Sequence, residues 1–266
     1  MANARELALQ TLTDILIDGA YSNHALSEQI EKNELTVQDK NFMTELVYGT
    51  LQHEQLLNFY VTPFFNGKVK AWVRILIQMT LYQMLFLDSV PEHAAISEAV
   101  KIAKKRGGQF NGKLVNAILR EMTRTPLPSL DTIKDEAERL AVETSHPLWL
   151  IKLWSKQFGW EKTIQMARAN NERVNVTIRV NGVRGTREEL ESEGITCEYG
   201  NLSQDALVIL KGNVIKTKAF EQGWFYVQDE SSMLVARALK PKHHSKVLDT
   251  CSAPGGKTTH VAELMR

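Results

Sequence analysis

Apolar side chains recur at helical spacing through the first 125 residues of the chain. In the opening segment they are Leu7, Leu9, Leu12, Ile15 and Leu16. Gly19 is placed to end that helix. Phe42, Leu46, Leu56, Leu57 and Phe59 continue the same pattern. No strand-like alternation of useful length interrupts it, so the sequence predicts an all-α bundle over residues 1–125, with about five to seven helices.

The later helices of this bundle follow from one apolar segment and one glycine pair. Val73–Leu87 is the most apolar stretch of the chain, yet it contains Arg74, Gln78 and Gln83. It is also shorter than the roughly 20 residues that a membrane span needs, which favours a central core helix and no membrane contact. A helix from about Glu92 to Arg106 and another from Lys113 to Met122 should follow, separated by Gly107-Gly108.

Residues 126–227 change in character after Pro126 and Pro128. Helical patterns at Ile133–Glu143, after Ser145-His146-Pro147 and from Trp160 to about Asn170 come first. Trp149, Trp154 and Trp160 have apolar neighbours, so packing is favoured over base stacking. A strand at Val174–Val180, a helix at Thr186–Glu193 and short strands at Ile195–Tyr199, Leu207–Leu210 and Trp224–Val227 then predict a small α+β linker module.

Residues 228–266 carry the stretch with the most chemical information. The short apolar run Val247-Leu248 suits a buried parallel strand, and Asp249 would stand at its carboxyl end. A loop of small residues, Cys251–Gly256, leads into an expected helix at Thr258–Met265. A strand, a glycine loop and a helix N-terminus form the usual first half of a nucleotide site. We therefore expect the first strand and helix of a Rossmann-like α/β domain here.

Several interpretations of this loop compete. Gly256-Lys257-Thr258 imitates the end of a P-loop, but Cys251 stands where that motif requires a glycine. The dinucleotide fingerprint also fails, because the loop has only two adjacent glycines. A plain strand-to-helix turn would explain the glycines but not the unbroken order of proline, two glycines and lysine after the aspartate.

The string Asp249-Thr250-Cys251-Ser252-Ala253-Pro254-Gly255-Gly256-Lys257-Thr258 resembles the S-adenosylmethionine-binding loop of RNA cytosine-C5 methyltransferases. That loop reads Asp-x-Cys-Ala-Ala-Pro-Gly-Gly-Lys-Thr, and serine replaces its first alanine here. The resemblance implies that seven residues line the methionine and ribose side of the cofactor: Cys251, Ser252, Ala253, Pro254, Gly255, Gly256 and Lys257.

Two further strings extend the resemblance. Residues 90–105 (VPEHAAISEAVKIAKK) and 114–120 (LVNAILR) are similar to late helices of the transcription antitermination factor NusB, an RNA-binding bundle. Residues 177–181 (TIRVN), followed by residues 186–190 (TREEL), resemble the RNA-facing linker domain of the same methyltransferases. By that resemblance, Arg179 is the linker residue expected to contact RNA.

Charge is distributed unevenly in the predicted bundle. Residues 1–99 hold six Lys or Arg against twelve Asp or Glu, whereas residues 100–124 hold seven against Glu121 alone. The basic residues expected to bind RNA phosphates are Lys101, Lys104, Lys105, Arg106, Lys113 and Arg120. A merely solvated face is the alternative, and the likeness to NusB favours RNA.

The order of NusB-like bundle, linker module and cofactor loop resembles bacterial 16S ribosomal RNA cytosine-C5 methyltransferases of the Sun/Fmu type. In that family a cysteine thiolate attacks C6 of cytosine, and C5 then accepts the methyl group of the cofactor. The family's two working cysteines follow the loop, whereas only the expected helix at Thr258–Met265 and Arg266 follow it here. We therefore expect a truncated chain without catalytic activity, in which Cys251 belongs to the cofactor loop.

Other features restrict the remaining possibilities. Composition is ordinary for a globular protein, with 43% apolar and 24% charged residues. Cys197 and Cys251 show neither metal nor disulfide spacing, which favours a reducing cytoplasm. His243-His244 stands beside lysines, which favours a solvated pair without metal. A monomer is also expected. An RNA-binding module without catalysis and an antitermination-type protein partner stay open as alternatives.

Overall fold

The computed structural model describes residues 3–182 and 186–266. These residues form two compact units that divide between Glu172 and Arg173. The helices of the first unit are α1 (Ala4–Leu16), α2 (Ser22–Lys32), α3 (Val37–Gln52), α4 (Glu54–Val61), α5 (Ala71–Phe86), α6 (Glu92–Arg124), α7 (Glu136–Thr144), α8 (Leu148–Phe158) and α9 (Trp160–Ala169). Within the described ranges, no helix is both long and apolar enough to cross a membrane.

Helix α5 is the centre of the first unit, as its composition predicts. Its residues are buried almost without a break from Val73 to Gln83. A helix that is buried on every side must satisfy its polar side chains internally. Gln83 does so by accepting a hydrogen bond from Arg5 Nε (2.7 Å), and Tyr82 donates its hydroxyl hydrogen to Glu45 Oε1 (2.6 Å). Tyr82 fits because Gly49 of α3 has no side chain in its way.

Helix α6 contains the predicted glycine break. Gly108 has φ 77° and ψ −179°, a conformation that only glycine adopts without strain, and it divides α6 into two arms. The second arm resumes directly after this glycine rather than at Lys113. The arms meet where the stem of Lys104 crosses Gly112, which leaves no room for a side chain at that position.

The three helices after Thr125 belong to the same compact unit as the bundle. Helix α4 contacts α7, and Leu56 N–H donates a hydrogen bond to Ser145 Oγ (3.3 Å). Gln52 Nε2 also donates to Asn171 Oδ1 (3.3 Å). Residues 126–172 thus belong to the first compact unit together with the predicted bundle.

The second unit is built on the predicted strands. They are β1 (Thr177–Val180), β2 (Thr196–Tyr199), β3 (Ala206–Lys211) and β4 (Phe225–Val227), and its helices are α10 (Arg187–Ser192), α11 (Lys218–Glu221), α12 (Glu230–Leu239) and α13 (Gly256–Leu264). The sheet order is β2-β3-β1-β4, and its pairs are antiparallel. Ile178, Leu207 and Phe225 pack beneath it in the apolar core of this unit.

The strand predicted at Val247-Leu248 is not formed, and this prediction is wrong for the described chain. Val247 is 43% exposed and Leu248 is 86% exposed. A parallel strand is stable only when neighbouring strands satisfy its backbone groups. Among the described residues, β1–β4 pair with one another and none pairs with this segment. Helix α13 does form, and it packs against α12.

Candidate cofactor loop and nucleic-acid interface

Asp249 accepts hydrogen bonds from residues at both ends of the glycine-rich loop. Its Oδ1 accepts a hydrogen bond from Cys251 N–H (3.0 Å), and its Oδ2 accepts one from Thr258 Oγ1 (2.6 Å). Both hydrogen bonds hold the pKa of Asp249 below its usual range, and the bond from Thr258 has the larger effect. The carboxylate is therefore ionised at neutral pH and fixes the loop that runs between its two donors.

The loop ends at a helix N-terminus that no side chain caps. Gly255 occupies the N-cap of α13 with φ 106°, and a side chain there would meet nothing within 4 Å. The first N–H groups of a helix carry partial positive charge and seek an acceptor. Cys251–Pro254 and Lys257 are exposed beside them. The seven predicted cofactor residues thus form one accessible segment, whose uncapped N–H groups suit a ligand that bears a carboxylate.

Arg179 lies in the interior of the second unit, in contrast to the contact with RNA that the sequence predicts. Its side chain is fully buried. The guanidinium Nη1 donates to Gly256 O (2.6 Å) and to Gln228 Oε1. Its Nη2 donates to Thr259 Oγ1 (3.0 Å) and to Glu263 Oε1 (3.0 Å). The expectation for this residue is therefore corrected, because its donors face protein and its surface is closed to RNA.

The contacts of Arg179 fasten the helix that follows the cofactor loop to the sheet. Gly256, Thr259 and Glu263 occupy successive turns along one side of α13, while Arg179 belongs to β1. The guanidinium carbon also lies 5.0 Å from the ring centre of Tyr226 on the adjoining β4, at the distance of a cation–π contact. No local pattern in the sequence indicates this arrangement, because the partners on α13 are 77 to 84 residues away.

A second buried polar cluster contacts α13 at His260. His260 is almost fully buried, and its Nε2 lies 3.1 Å from Asp205 Oδ2. Asp205 also accepts hydrogen bonds from Arg237 of α12. Burial acts to raise the pKa of Asp205, but the hydrogen bond and charge of Arg237 outweigh it and hold that pKa below its usual value. Burial, aided by the charge of Arg179, lowers the pKa of His260.

The second unit should lose stability as the pH falls because of this cluster. The pKa of His260 is lower in the folded state than in the unfolded state, where it is about 6.5. The contribution of His260 to the free energy of unfolding is therefore complete above the unfolded-state pKa, and it is lost as the pH falls through the folded-state pKa. The unit should lose up to about 1.4 kcal/mol per pH unit in that window. Neighbouring Asp205 adds a loss of the same sign at lower pH. In the described part of the chain, Glu263 and Arg179 also act on the charge of His260.

Amide hydrogen exchange in β1–β4, corrected for intrinsic rates, measures this dependence. A His260→Gln variant keeps a donor for Asp205 and should flatten the curve between neutral and mildly acidic pH. The exposed His243, replaced by glutamine in the same way, serves as the matched control. Equal slopes in the parent and the His260→Gln variant would contradict the assignment.

The predicted basic residues of the first unit lie on the protein surface and fall into separate groups. Lys101, Lys104 and Arg120 line one groove of about 400 Å³ between the arms of α6, together with His93, Ser97, Asn116 and Thr123. Lys101 is held by Glu98 (2.7 Å) and Arg120 Nε donates to Asn116 Oδ1 (3.3 Å), which orders both cations. This groove combines three cations and one carboxylate, that of Glu92, with hydrogen-bonding groups.

Three other members of the predicted cluster do not line this groove. Lys105 pairs with Glu6 (2.7 Å) and lines a different hollow with Arg106, beside α1. Arg106 also lies over the ring of Trp72, with its guanidinium carbon 5.4 Å from the ring centre. Lys113 is exposed on the second arm. In the described part of the chain, no group of three or more His, Cys, Asp or Glu side chains is placed to hold a metal ion.

Comparison with protein families gives three consecutive matches along the chain. Residues 2–124 match the NusB family. Residues 146–216 match the ferredoxin-like domain of RsmF/B-like methyltransferases. Residues 236–266 match the 16S rRNA methyltransferase RsmB/F family. The order agrees with the three-part organisation predicted from the sequence.

Individual relatives agree with the family matches. The chain is 46% identical over 270 residues to the probable ribosomal RNA small subunit methyltransferase B of Bacillus subtilis (strain 168), covering 99% of this chain and 60% of that protein. It is 32% identical over 274 residues to the corresponding probable enzyme of Synechocystis sp., covering 100% of this chain and 61% of that one. The chain thus spans about three fifths of the length of these relatives.

A solved structure supports the fold. The crystal structure of PH0851 matches with a TM-score of 0.70 and 24% sequence identity, over 100% of this chain and 62% of that chain. At this level of identity the likeness concerns the fold alone.

Proposed function

We propose that this chain, which carries a NusB-family domain followed by ferredoxin-like and methyltransferase segments of the RsmB/F family, serves in the methylation of small-subunit ribosomal RNA. The reaction is transfer of a methyl group from S-adenosylmethionine to C5 of a cytosine. In this reaction the first unit holds the RNA, and the loop Cys251–Lys257 forms one wall of the cofactor site. The observation that carries the proposal is the accessible loop fixed by Asp249 at the uncapped start of α13.

The residues of the loop fit the cofactor. S-adenosylmethionine supplies an electrophilic methyl group, and it also carries a carboxylate that needs donors. The N–H groups at the start of α13 are such donors, and their helix dipole favours a negative group. Asp249, already ionised, keeps the loop in place without occupying those groups. Arg179 of β1 holds the same helix through its hydrogen bond to Gly256 O.

The basic groove of the first unit supports RNA as the partner in this proposal. Lys101, Lys104 and Arg120 present three cations within one hollow, and Ser97, Asn116 and Thr123 add hydrogen-bonding groups. Phosphate contacts of this kind supply most of the affinity for nucleic acid and make it depend on salt. We infer that RNA phosphates occupy this groove.

Removing these cations tests the RNA-binding part of the proposal. A variant with Lys101→Ala, Lys104→Ala and Arg120→Ala should bind ribosomal RNA more weakly than the parent. It should also flatten the log–log salt dependence by about 2, because each phosphate contact to a single strand accounts for about 0.7. Fluorescence anisotropy with labelled 16S RNA fragments over a salt series measures both quantities.

The matched control removes equal charge from another exposed face of the same unit. Lys152, Lys156 and Lys162 stand on α8 and α9, and all three are exposed. Their replacement by alanine should leave the salt slope near that of the parent. If both triple variants lose affinity and slope equally, binding reflects overall charge and the groove has no special role.

A further inference from the structure

The break in α6 exposes an aromatic side chain among the basic residues. Phe110 follows the glycine pair and is 76% exposed, although a phenylalanine usually contributes to a core. Its neighbours Asn111 and Gly112 are buried, so the backbone is well anchored at this point. Asn111 donates a hydrogen bond to Gly107 O across the break. A lone exposed phenylalanine needs no explanation by itself, and its significance depends on what surrounds it.

Phe110 begins a stripe of exposed positions along the second arm of α6. The stripe consists of Phe110, Lys113, Ala117, Arg120 and Arg124, which follow one another at intervals of three and four residues. Residues at this spacing lie on one face of a helix. The opposite face is buried in the bundle core through Val115, Ile118, Leu119 and Met122. At about 1.5 Å per residue, the stripe is about 21 Å long.

The composition of this stripe matches the chemistry of an unpaired nucleic acid strand. Three cations follow the aromatic ring on successive turns of the helix. The one small residue of the stripe, Ala117, leaves the surface between these cations uncovered. Proteins bind single strands by combining a positively charged track for the backbone with aromatic rings on which bases stack. Double-stranded RNA offers no free base face to such a ring.

We propose that this stripe binds a single-stranded segment of RNA, with Phe110 stacking on an unpaired base while Lys113, Arg120 and Arg124 contact the phosphates. This inference deepens the proposed function, on which it rests, by naming the form of RNA that the first unit selects. It also assigns a role to a residue that the positive charge of the surface does not explain.

Substitution of Phe110 separates stacking from charge. Stacking of one base contributes about 1–3 kcal/mol, so Phe110→Ala should weaken binding of single-stranded oligouridine about 5- to 150-fold. Its salt slope should stay that of the parent, because every cation that faces a phosphate remains in place. Phe110→Trp should retain the affinity, whereas Phe110→Leu, which is apolar but cannot stack, should behave like the alanine variant. None of these variants should bind a duplex RNA of the same length differently.

A spectroscopic measurement and two controls complete the experiment. The fluorescence of 2-aminopurine in a single-stranded oligonucleotide should be quenched by the parent and not by Phe110→Ala. Lys113→Ala with Arg124→Ala should flatten the salt slope by roughly 0.7 for each phosphate that is no longer neutralised. Trp149→Ala, which removes another exposed aromatic ring on α8, should change neither quantity. Circular dichroism should show unchanged folding, because Phe110 is largely outside the core.

The outcomes distinguish this inference from the proposed function. If Phe110→Ala or Phe110→Leu binds the single strand as tightly as the parent, the stacking role is overturned. The proposed function would survive that result as long as the Lys101, Lys104 and Arg120 variant still loses affinity and salt slope. If the parent binds no RNA at all, both proposals fail together.

Discussion

An Arg179→Met variant is expected to lose about 3–5 kcal/mol of stability in the second unit. The substitution keeps the length and apolar stem of the side chain while it removes the guanidinium. Glu263, only 17% exposed, would then be left near the interior without its ion pair. Gly256 O and Thr259 Oγ1 would lose a donor as well. Removing one partner of a buried ion pair is costly because the remaining charge stays desolvated.

The loss should be largest in α13. Hydrogen exchange followed by mass spectrometry should show that peptides of α13 and of the cofactor loop lose protection well before those of β2 and β3. Arg187→Met is the matched control, since Arg187 forms a partly exposed ion pair with Glu191 four residues away on α10 and lies over the ring of Tyr199. That variant should unfold almost like the parent. Combining Arg179→Met with Glu263→Gln should recover part of the loss, because the stranded carboxylate is then absent.

The 266-residue polypeptide is expected to transfer no methyl group to RNA under the proposed mechanism. That mechanism requires a thiolate that faces C6 of the cytosine. Cys197 is 3% exposed, and burial raises the pKa of its thiol, so it is neither accessible nor ionised. Cys251 is accessible, but it belongs to the loop proposed for the cofactor, and its N–H is bonded to Asp249. Neither cysteine is placed as the nucleophile.

Incubation with unmodified 16S RNA and methyl-labelled S-adenosylmethionine provides the measurement. No label should appear at cytosine C5, while binding of RNA in the same preparation should persist. The probable ribosomal RNA small subunit methyltransferase B of Bacillus subtilis, assayed in parallel, should show that the RNA and the cofactor are competent. Label that appears with the parent chain and disappears with Cys251→Ala would refute the role given to Cys251.

Local patterns predict most of the secondary structure correctly. The spacing of apolar residues locates α1, α5 and the first arm of α6, and the alternation near Thr177 locates β1. The helix predicted at Thr186–Glu193 corresponds to α10, and the structure shows a capping box of Thr186 and Glu189 at its start. These features depend on residues within a few positions of one another, so the sequence alone carries the information.

The two clear errors share a physical cause, which is that the deciding contacts are distant in sequence. Arg179 looks like a surface residue at the end of a strand, and only α13, about 80 residues later, supplies the acceptors that draw it inward. Val247-Leu248 has the composition of a strand but no strand beside it in the described chain. The packing of residues 126–172 against the bundle likewise depends on the contact of α7 with α4.

The buried guanidinium of Arg179 also restricts how chains of this kind can be recombined. A chimera that takes the ferredoxin-like domain from one relative and the methyltransferase segment from another would join β1 of one parent to α13 of the other. Donor and acceptors of the same buried cluster would then come from different proteins, and a mismatch would strand a charge in the interior. A viable crossover should therefore lie before β1, near the division between Glu172 and Arg173. In this molecule the boundary between the ferredoxin-like match and the methyltransferase match lies inside one compact unit.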